Sequence, residues 1–243
     1  MAIIKGLETK FNEVHVEYDK WRPTYISELY KDIMDFNEIN EFSNVLEIGI
    51  GTGQATLPIL EKGCLLTAIE LGDKLAEFTK EKFSKHKNFD MIYSATAFHW
   101  IPEEIGYPKV YKMLKSGGIF ARFANHPYKD KGNQELDIAI QEVYSKYMPT
   151  STLSPEYGEK QCEKMAEGIK KYGFIDVNYK LYHRTRTFNA KEYVSLINTY
   201  SNHRALEENK RSEFYKEIEN AIDNYGGKIT IYDTIDLQLA RKP

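Results

Sequence analysis

The chain has 243 residues, 42% of them hydrophobic, with 33 Lys and Arg against 36 Asp and Glu for a net charge of −3. That length and apolar content suit one domain with a sizeable core and an embellishment, while the charge excludes an overall positive field that would draw in nucleic acid or an anionic membrane. Cys64 and Cys162 lie far apart in unlike contexts and Met1–Lys5 begins no long apolar run, so the expectation is a cytoplasmic protein with reduced thiols, no metal site and no membrane span.

In chain order, Tyr18-Asp19-Lys20-Trp21-Arg22-Pro23 precedes apolar residues at helical spacing, Ile26, Leu29, Tyr30, Ile33 and Met34, which predict an amphipathic helix covering one face of a sheet. Val45-Leu46-Glu47-Ile48-Gly49-Ile50-Gly51-Thr52-Gly53 then reads as a buried strand ending in an acid, followed by three alternate glycines. Glycine lacks Cβ, so this backbone can take positive φ and let a ligand approach closely, and a following helix from about Gln54 to Lys62 would direct unpaired N–H groups at that ligand. A second strand, Gly63-Cys64-Leu65-Leu66-Thr67-Ala68-Ile69-Glu70, ends in an acid twenty-one residues beyond Gly49, the interval of a ribose-binding carboxylate. A dinucleotide turn needs a third small residue where this chain has Gln54, which makes a nicotinamide oxidoreductase a distant reading.

Asp73 is positioned to cap a helix reaching about Lys85, and a strand follows at Met91 to Ala95. Pro102, Glu103 and Glu104 open a helix to about Leu114; Gly117-Gly118 ends it and starts a strand over Ile119 to Ala124. This alternation predicts an α/β fold with a doubly wound, mainly parallel Rossmann-like sheet and a ligand site at the carboxyl ends of its strands. From Asn125 the pattern becomes helical. Leu136, Ile140, Val143 and Tyr147 form one stripe and Cys162, Met165, Ala166, Ile169 and Tyr172 another. Two further helices precede Gly226-Gly227, and alternation from Tyr225 to Leu239 reads as a closing antiparallel strand paired with one near Phe174 to Tyr182. The expected organisation is one domain over 1–243 with a helical lid inserted at about 125–172.

The order acid-x-G-x-G-x-G resembles the first motif of the class I S-adenosylmethionine (SAM) methyltransferases. The resemblance implies that Glu47 faces the cofactor's methionine ammonium, that Glu70 meets the ribose, and that Gly49, Gly51, Thr52, Gly53, Leu71 and Tyr18 complete the cofactor site. Asp90 through Ala97-Phe98-His99-Trp100, Lys115-Ser116-Gly117-Gly118-Ile119-Phe120 and the Y-x-x-x-R-P segment at Tyr18 to Pro23 are similar to the small-molecule subgroup that includes the trans-aconitate methyltransferases. One interval departs from that pattern. Asp90 comes only twenty positions after Glu70, so the third strand and the acid-bearing loop that contacts adenine in the family are expected to be missing; a degenerate SAM-binding protein without turnover is therefore the alternative.

Methyl transfer from a sulfonium is an in-line displacement that mainly requires positioning and exclusion of water. A carboxylate acceptor, which the resemblance allows, is already ionised and needs a cationic clamp rather than a base. Candidates are Arg22, Arg122, His126, His183, Arg184, Arg186, His203 and Arg204, with Arg22 first because of its motif and Arg204 second because of its place in the late helices. His99, following the strand Met91 to Ala95, is either a base for a hydroxyl or amine acceptor or, with Trp100, a wall that orders its loop. Tyr18, Trp21 and Trp100 could favour a sulfonium by cation–π contact or simply seal the core. The expected partner is a small-molecule acceptor, and the sequence specifies no oligomeric state.

Overall fold

A computed structural model describes residues 15–70, 89–149 and 155–243. Its helices are α1 (His15–Trp21), α2 (Ser27–Phe36), α3 (Leu57–Leu60), α4 (Glu103–Met113), α5 (Gln134–Tyr147), α6 (Glu159–Lys170), α7 (Ala190–Ile197), α8 (Ser201–Arg204) and α9 (Glu208–Asn224), with a 3₁₀ turn at Phe98–Trp100. The strands are β1 (Asn44–Ile48), β2 (Leu65–Ile69), β3 (Phe89–Ala95), β4 (Leu114–Tyr128), β5 (Ile175–Asn189) and β6 (Lys228–Arg241), forming one sheet in the order β2-β1-β3-β4-β6-β5. β1 pairs in parallel with both β2 and β3, and β3 pairs in parallel with β4.

The end of the sheet holding β5 and β6 is antiparallel, as expected. Gly117 N donates to Lys242 O and Lys242 N donates to Gly118 O, both at 2.9 Å. With Gly117 at φ +76°, this is a β-bulge that needs glycine at its first position. It sets Gly118 opposite Lys242, and hence Arg122 opposite Gln238. Gly118 is constrained by space, since a Cβ there would stand 3.0 Å from the Phe89 carbonyl oxygen. Between β5 and β6, His183 meets Thr234, Arg184 meets Asp233 and Thr187 meets Thr230, a pairing that runs in opposite directions along the two strands.

The chain condenses into two compact units. One comprises Pro23–Asn125, Gly158–Tyr182 and Ile235–Pro243; the other comprises Met1–Arg22, His126–Tyr157 and His183–Thr234. In the first, alternate strand residues serve two cores, because successive side chains point to opposite faces. Val45, Met91, Tyr93, Ile119, Ala121 and Phe123 pack with Leu29 and Ile33 of α2. Leu46, Ile48, Ile92 and Phe120 pack with Tyr107 and Val110 of α4 and Ile169 of α6. Leu29 and Ile33 are fully buried, each worth about 1.5–3 kcal/mol of apolar burial. The second unit has its own core, Leu136, Ile140, Tyr147, Leu196, Ile197, Phe214, Ile218 and Ile222 among its members. The segment expected as a lid is divided, 126–157 lying in the second unit and 158–172 in the first.

Several boundaries differ from the sequence reading. The helix after the glycine turn is only Leu57–Leu60, because Pro58 occupies its first turn and residues 54–56 remain in turns. β4 starts at Leu114 directly after α4, its two glycines accommodated as the bulge rather than as a helix stop. The strand Met91 to Ala95 pairs beside β1 as anticipated, Val45 with Met91 through Ile48 with Ser94. Among the described residues β2 has β1 as its single neighbour, and its Leu65 is 66% exposed. Leu71 and the helix expected from Asp73 to Lys85 lie outside the described residues.

Candidate active site

The first unit brings the two strand-end acids and the glycines together. Gly49 N donates to Ile69 O at 2.7 Å, tying the end of β1 to the end of β2, and Gly53 N donates to Ile50 O at 2.9 Å to close a tight turn. Gly49, Gly51 and Gly53 have φ of +78°, +55° and +91°, a region in which an L side chain is strained. Glu70 has a role in shaping this turn, since its Oε2 accepts from Gly51 N at 2.8 Å. Thr52 is exposed and its Oγ1 accepts from Gln54 Nε2, so the residue that breaks the dinucleotide pattern braces the turn instead.

Glu47 is 1% exposed. Its Oε2 accepts from Tyr93 Oη at 2.7 Å and from Thr56 Oγ1 at 2.8 Å, while its Oε1 is buried with no partner among the described residues. Burial pushes the carboxyl above the usual range, against the two hydroxyl bonds that favour the ionised form. A buried acid with one unpaired oxygen fits a cationic ligand group, and the methionine ammonium of SAM is such a group. Tyr93 and Thr56 were not foreseen as parts of this site. Tyr93 stands beside Glu47 only through the β1–β3 register, which no spacing in the sequence reveals.

The carboxyl end of β3 is strained. Thr96, a β-branched residue, sits at φ +51°, an outlier of the kind that persists where surrounding bonds impose it. Its N–H donates to Phe123 O at 2.8 Å, its Oγ1 is 2.5 Å from Tyr25 Oη, and Asn125 N donates to that same Oγ1 at 3.2 Å. The 3₁₀ turn follows. Phe98 is driven into the core, its ring 5.0 Å from both Tyr107 and Phe120, and this anchors His99 on the exposed side with its ring 5.0 Å from Trp100. Arg122, on the neighbouring strand, donates from Nη1 to Tyr107 Oη at 2.8 Å.

The second unit holds most of the remaining cationic candidates. Arg22 donates from Nε to Thr199 Oγ1 and from Nη2 to Thr199 O, both at 2.9 Å, and its guanidinium carbon lies 4.8 Å from the Tyr18 ring and 4.6 Å from the Tyr200 ring. Tyr18 therefore contacts Arg22 in this structure. Trp21 packs against the helical core. Arg184 and Arg186 both converge on the buried Asp233, Arg186 through two bonds. His203 is 1% exposed, its Nε2 3.3 Å from Tyr144 Oη, and burial lowers its pKa to about 4, so it is a neutral core histidine. Arg204 closes α8, its carbonyl accepting from Arg211 Nη1 at 3.3 Å. His126 stacks on Tyr157 at 3.7 Å, and His183 Nδ1 is 3.3 Å from Thr234 Oγ1. Both cysteines are free and buried. Among the described residues no cluster of His, Cys, Asp or Glu could hold a metal, and no helix is long and apolar enough to cross a membrane.

Comparison with known proteins agrees with this geometry. The family described as ribosomal RNA adenine dimethylase matches residues 27–144. An uncharacterized methyltransferase of Schizosaccharomyces pombe is 21% identical over 226 residues, covering 85% of this chain and 84% of the relative. One from Bacillus mycoides is 25% identical over 179 residues, covering 61% of this chain and 82% of its own. A solved structure from Anaeromyxobacter dehalogenans, a candidate type II methyltransferase, superposes with a TM-score of 0.61 at 15% identity over 90% of this chain and 97% of the other. The fold is that of the class I methyltransferases. With its glycine turn, the two acids and relatives named as methyltransferases, the chain is an S-adenosylmethionine-dependent methyltransferase.

Proposed function

We propose that the chain methylates a small carboxylate, in the manner of the trans-aconitate methyltransferase-like subgroup that its motifs resemble. The observation that supports this is the state of Arg22. Its guanidinium is half-buried between two tyrosine rings, its side-on edge is fixed by the neutral Thr199, and it has no acidic partner among the described residues. A held, partly desolvated guanidinium whose Nη1 has no partner among the described residues suits a carboxylate from the substrate. Arg204 is the second candidate for the same task, and residues 126–157 with 183–234 are the substrate-recognition part of the molecule.

Glu47 and the turn amides would hold the cofactor, which when bound supplies a methyl group on a sulfonium. The chain's own contribution is then binding, orientation and exclusion of water. A carboxylate oxygen needs no base, so His99 serves as part of the wall; for a hydroxyl or amine acceptor the same exposed imidazole would take the proton. A second reading, an RNA adenine acceptor, is favoured by the matched family's description and opposed by the net charge of −3.

Incubation with methyl-labelled SAM and a panel of small carboxylates tests this. The expected product is a methyl ester whose label alkali releases as methanol, formed about tenfold or more slowly by Arg22→Lys at unchanged SAM affinity. Alkali-stable label, or label transferred to RNA, would overturn the carboxylate reading.

A further inference from the structure

Thr96 follows β3 at a level where its neighbour β1 has already left the sheet. Ser94 is opposite Ile48, the last residue of β1, so two residues further on Thr96 lies where the neighbouring chain has turned into Gly49–Gly53. Its φ of +51° bends the chain sharply there. Elsewhere among the described residues positive φ falls on glycine, the exposed Asp176 at the head of β5 being the other exception. Glycine would take this conformation without strain and a β-branched side chain resists it, so what threonine offers here is its hydroxyl.

The bonds that impose the strain meet at that residue. Thr96 N donates to Phe123 O at 2.8 Å, Asn125 N donates to Thr96 Oγ1 at 3.2 Å, and Tyr25 Oη stands 2.5 Å from the same Oγ1. Phe123 and Asn125 belong to β4, the strand beside β3, so two of the three bonds come with the sheet. The third comes from outside it, from a residue ahead of α2. The Tyr25 ring stands edge-on to Phe123 at 4.7 Å, and Phe123 stacks on Tyr93, whose hydroxyl holds Glu47. Ring packing therefore places the phenol, and its hydroxyl alone acts on Thr96.

Past Thr96 the loop is anchored by Phe98, whose ring lies so close to α4 that a Cβ on Gly106 would stand 2.7 Å from it. Thr96 and Phe98 together set where His99 and Trp100 stand, at the carboxyl end of the strands that also carries the cofactor turn. We infer that Tyr25 is a positioning residue for methyl transfer: through its hydroxyl bond to Thr96 it holds the His99–Trp100 loop in the geometry in which an acceptor meets the methyl group. Phenylalanine at this position keeps the ring packing but removes the clamp from outside the sheet, so Thr96 relaxes toward extended backbone and the loop moves with it. An in-line displacement tolerates little of that, since a misplacement of about 1 Å can cost about a hundredfold in rate. The bond touches neither Glu47 nor the turn amides, so cofactor binding is spared. The inference rests on this loop forming part of the acceptor wall, as read above, and holds whether or not the acceptor is a carboxylate.

Tyr25→Phe in the whole chain tests this. Single-turnover transfer from methyl-labelled SAM, to whichever molecule the acceptor screen labels, should slow about tenfold or more with SAM affinity close to the parent's. Thr96→Val, which keeps the branched shape and removes the hydroxyl, should slow transfer at least as much, and the double variant should be no slower than Thr96→Val, because both changes break the same bond. A Trp21→Phe background leaves Trp100 as the single tryptophan. There Tyr25→Phe should lower the fluorescence anisotropy of Trp100 and raise its quenching by acrylamide, a readout that needs no acceptor. Unchanged anisotropy and quenching, a parental transfer rate in Tyr25→Phe, a rate loss matched by lost SAM affinity, or additive losses in the double variant would each overturn the inference. If label appears in a molecule other than a carboxylate, the carboxylate reading falls and the slowing should persist with that acceptor. Slow transfer in Arg22→Lys beside normal transfer in Tyr25→Phe removes the inference and leaves the carboxylate reading standing.

Discussion

Glu47 and Asp233 are equally buried, at 1% exposure, and are furnished in opposite ways. Glu47 is held by two neutral hydroxyls on one oxygen and keeps the other unpaired among the described residues. Asp233 is gripped by two guanidiniums, one of them bidentate. Burial of a charge is costly unless it is compensated. The acid whose compensation is complete holds β5 to β6; the acid whose compensation is left unfinished is the one we propose to meet the cofactor. Incomplete satisfaction, rather than burial or charge, is what distinguishes the two acids.

The largest effect should come from spoiling the complete case. Asp233→Asn leaves two guanidiniums facing a neutral amide in a site that shields them from water, at a cost of about 3–5 kcal/mol. Chemical denaturation should report that loss while SAM affinity changes little. Equal stability of variant and parent would mean that the Arg–Asp cluster is not a strut.

His203 bears on the same contrast, being a buried group that avoids the cost by staying neutral. Its pKa, lowered by burial to about 4, lies below the ordinary histidine value, so the unfolded chain binds the proton more tightly. Stability from this group is present above about pH 6.5 and is lost as pH falls toward 4, by about 3 kcal/mol in all. Unfolding free energies between pH 7 and 4.5 should show a slope that His203→Gln reduces.

Gly51→Val comes next, with SAM affinity expected to fall about a hundredfold, because a β-branched residue is strained at φ +55° and fills space the ligand needs. The smallest change, Glu47→Gln, sharpens the comparison most. The amide keeps the shape, removes a buried charge and loses the attraction for an ammonium, so SAM should bind about tenfold more weakly while the ligand-free chain melts no lower. The pH dependence follows from sign. Glu47 titrates above the ordinary carboxyl range, and a bound ammonium favours its ionised form. SAM affinity of the parent should therefore weaken as pH falls through that range, and calorimetry of the glutamine variant should find it flat.

The sequence made the first unit legible because its information is local. Three glycines, an acid at each of two strand ends and strands of continuous apolar residues carry fixed physical requirements, and the structure meets them with positive φ at Gly49, Gly51 and Gly53. What escaped was set by register. That Tyr93 reaches Glu47, or that Gln238 stands opposite Arg122, depends on which strands are neighbours and on a one-residue bulge at Gly117. The strain at Thr96 was equally invisible, since threonine at positive φ contradicts its own propensity and is imposed by Tyr25, Phe123 and Asn125. In the second unit, helical periodicity located the stripes of α5, α7 and α9, and its motif put Arg22 ahead of the other cations, but nothing in the sequence showed that Arg184 and Arg186 are committed to Asp233 while Arg22 is not.

Calorimetric titration of the purified chain with SAM, with its demethylated product and with NAD tests the central claim most directly. The turn built from Glu47, Gly49, Gly51, Gly53 and Glu70 should bind SAM and its product in the micromolar range and should not bind NAD. Binding of NAD without SAM, or SAM binding indifferent to both Gly51→Val and Glu47→Gln, would contradict the account.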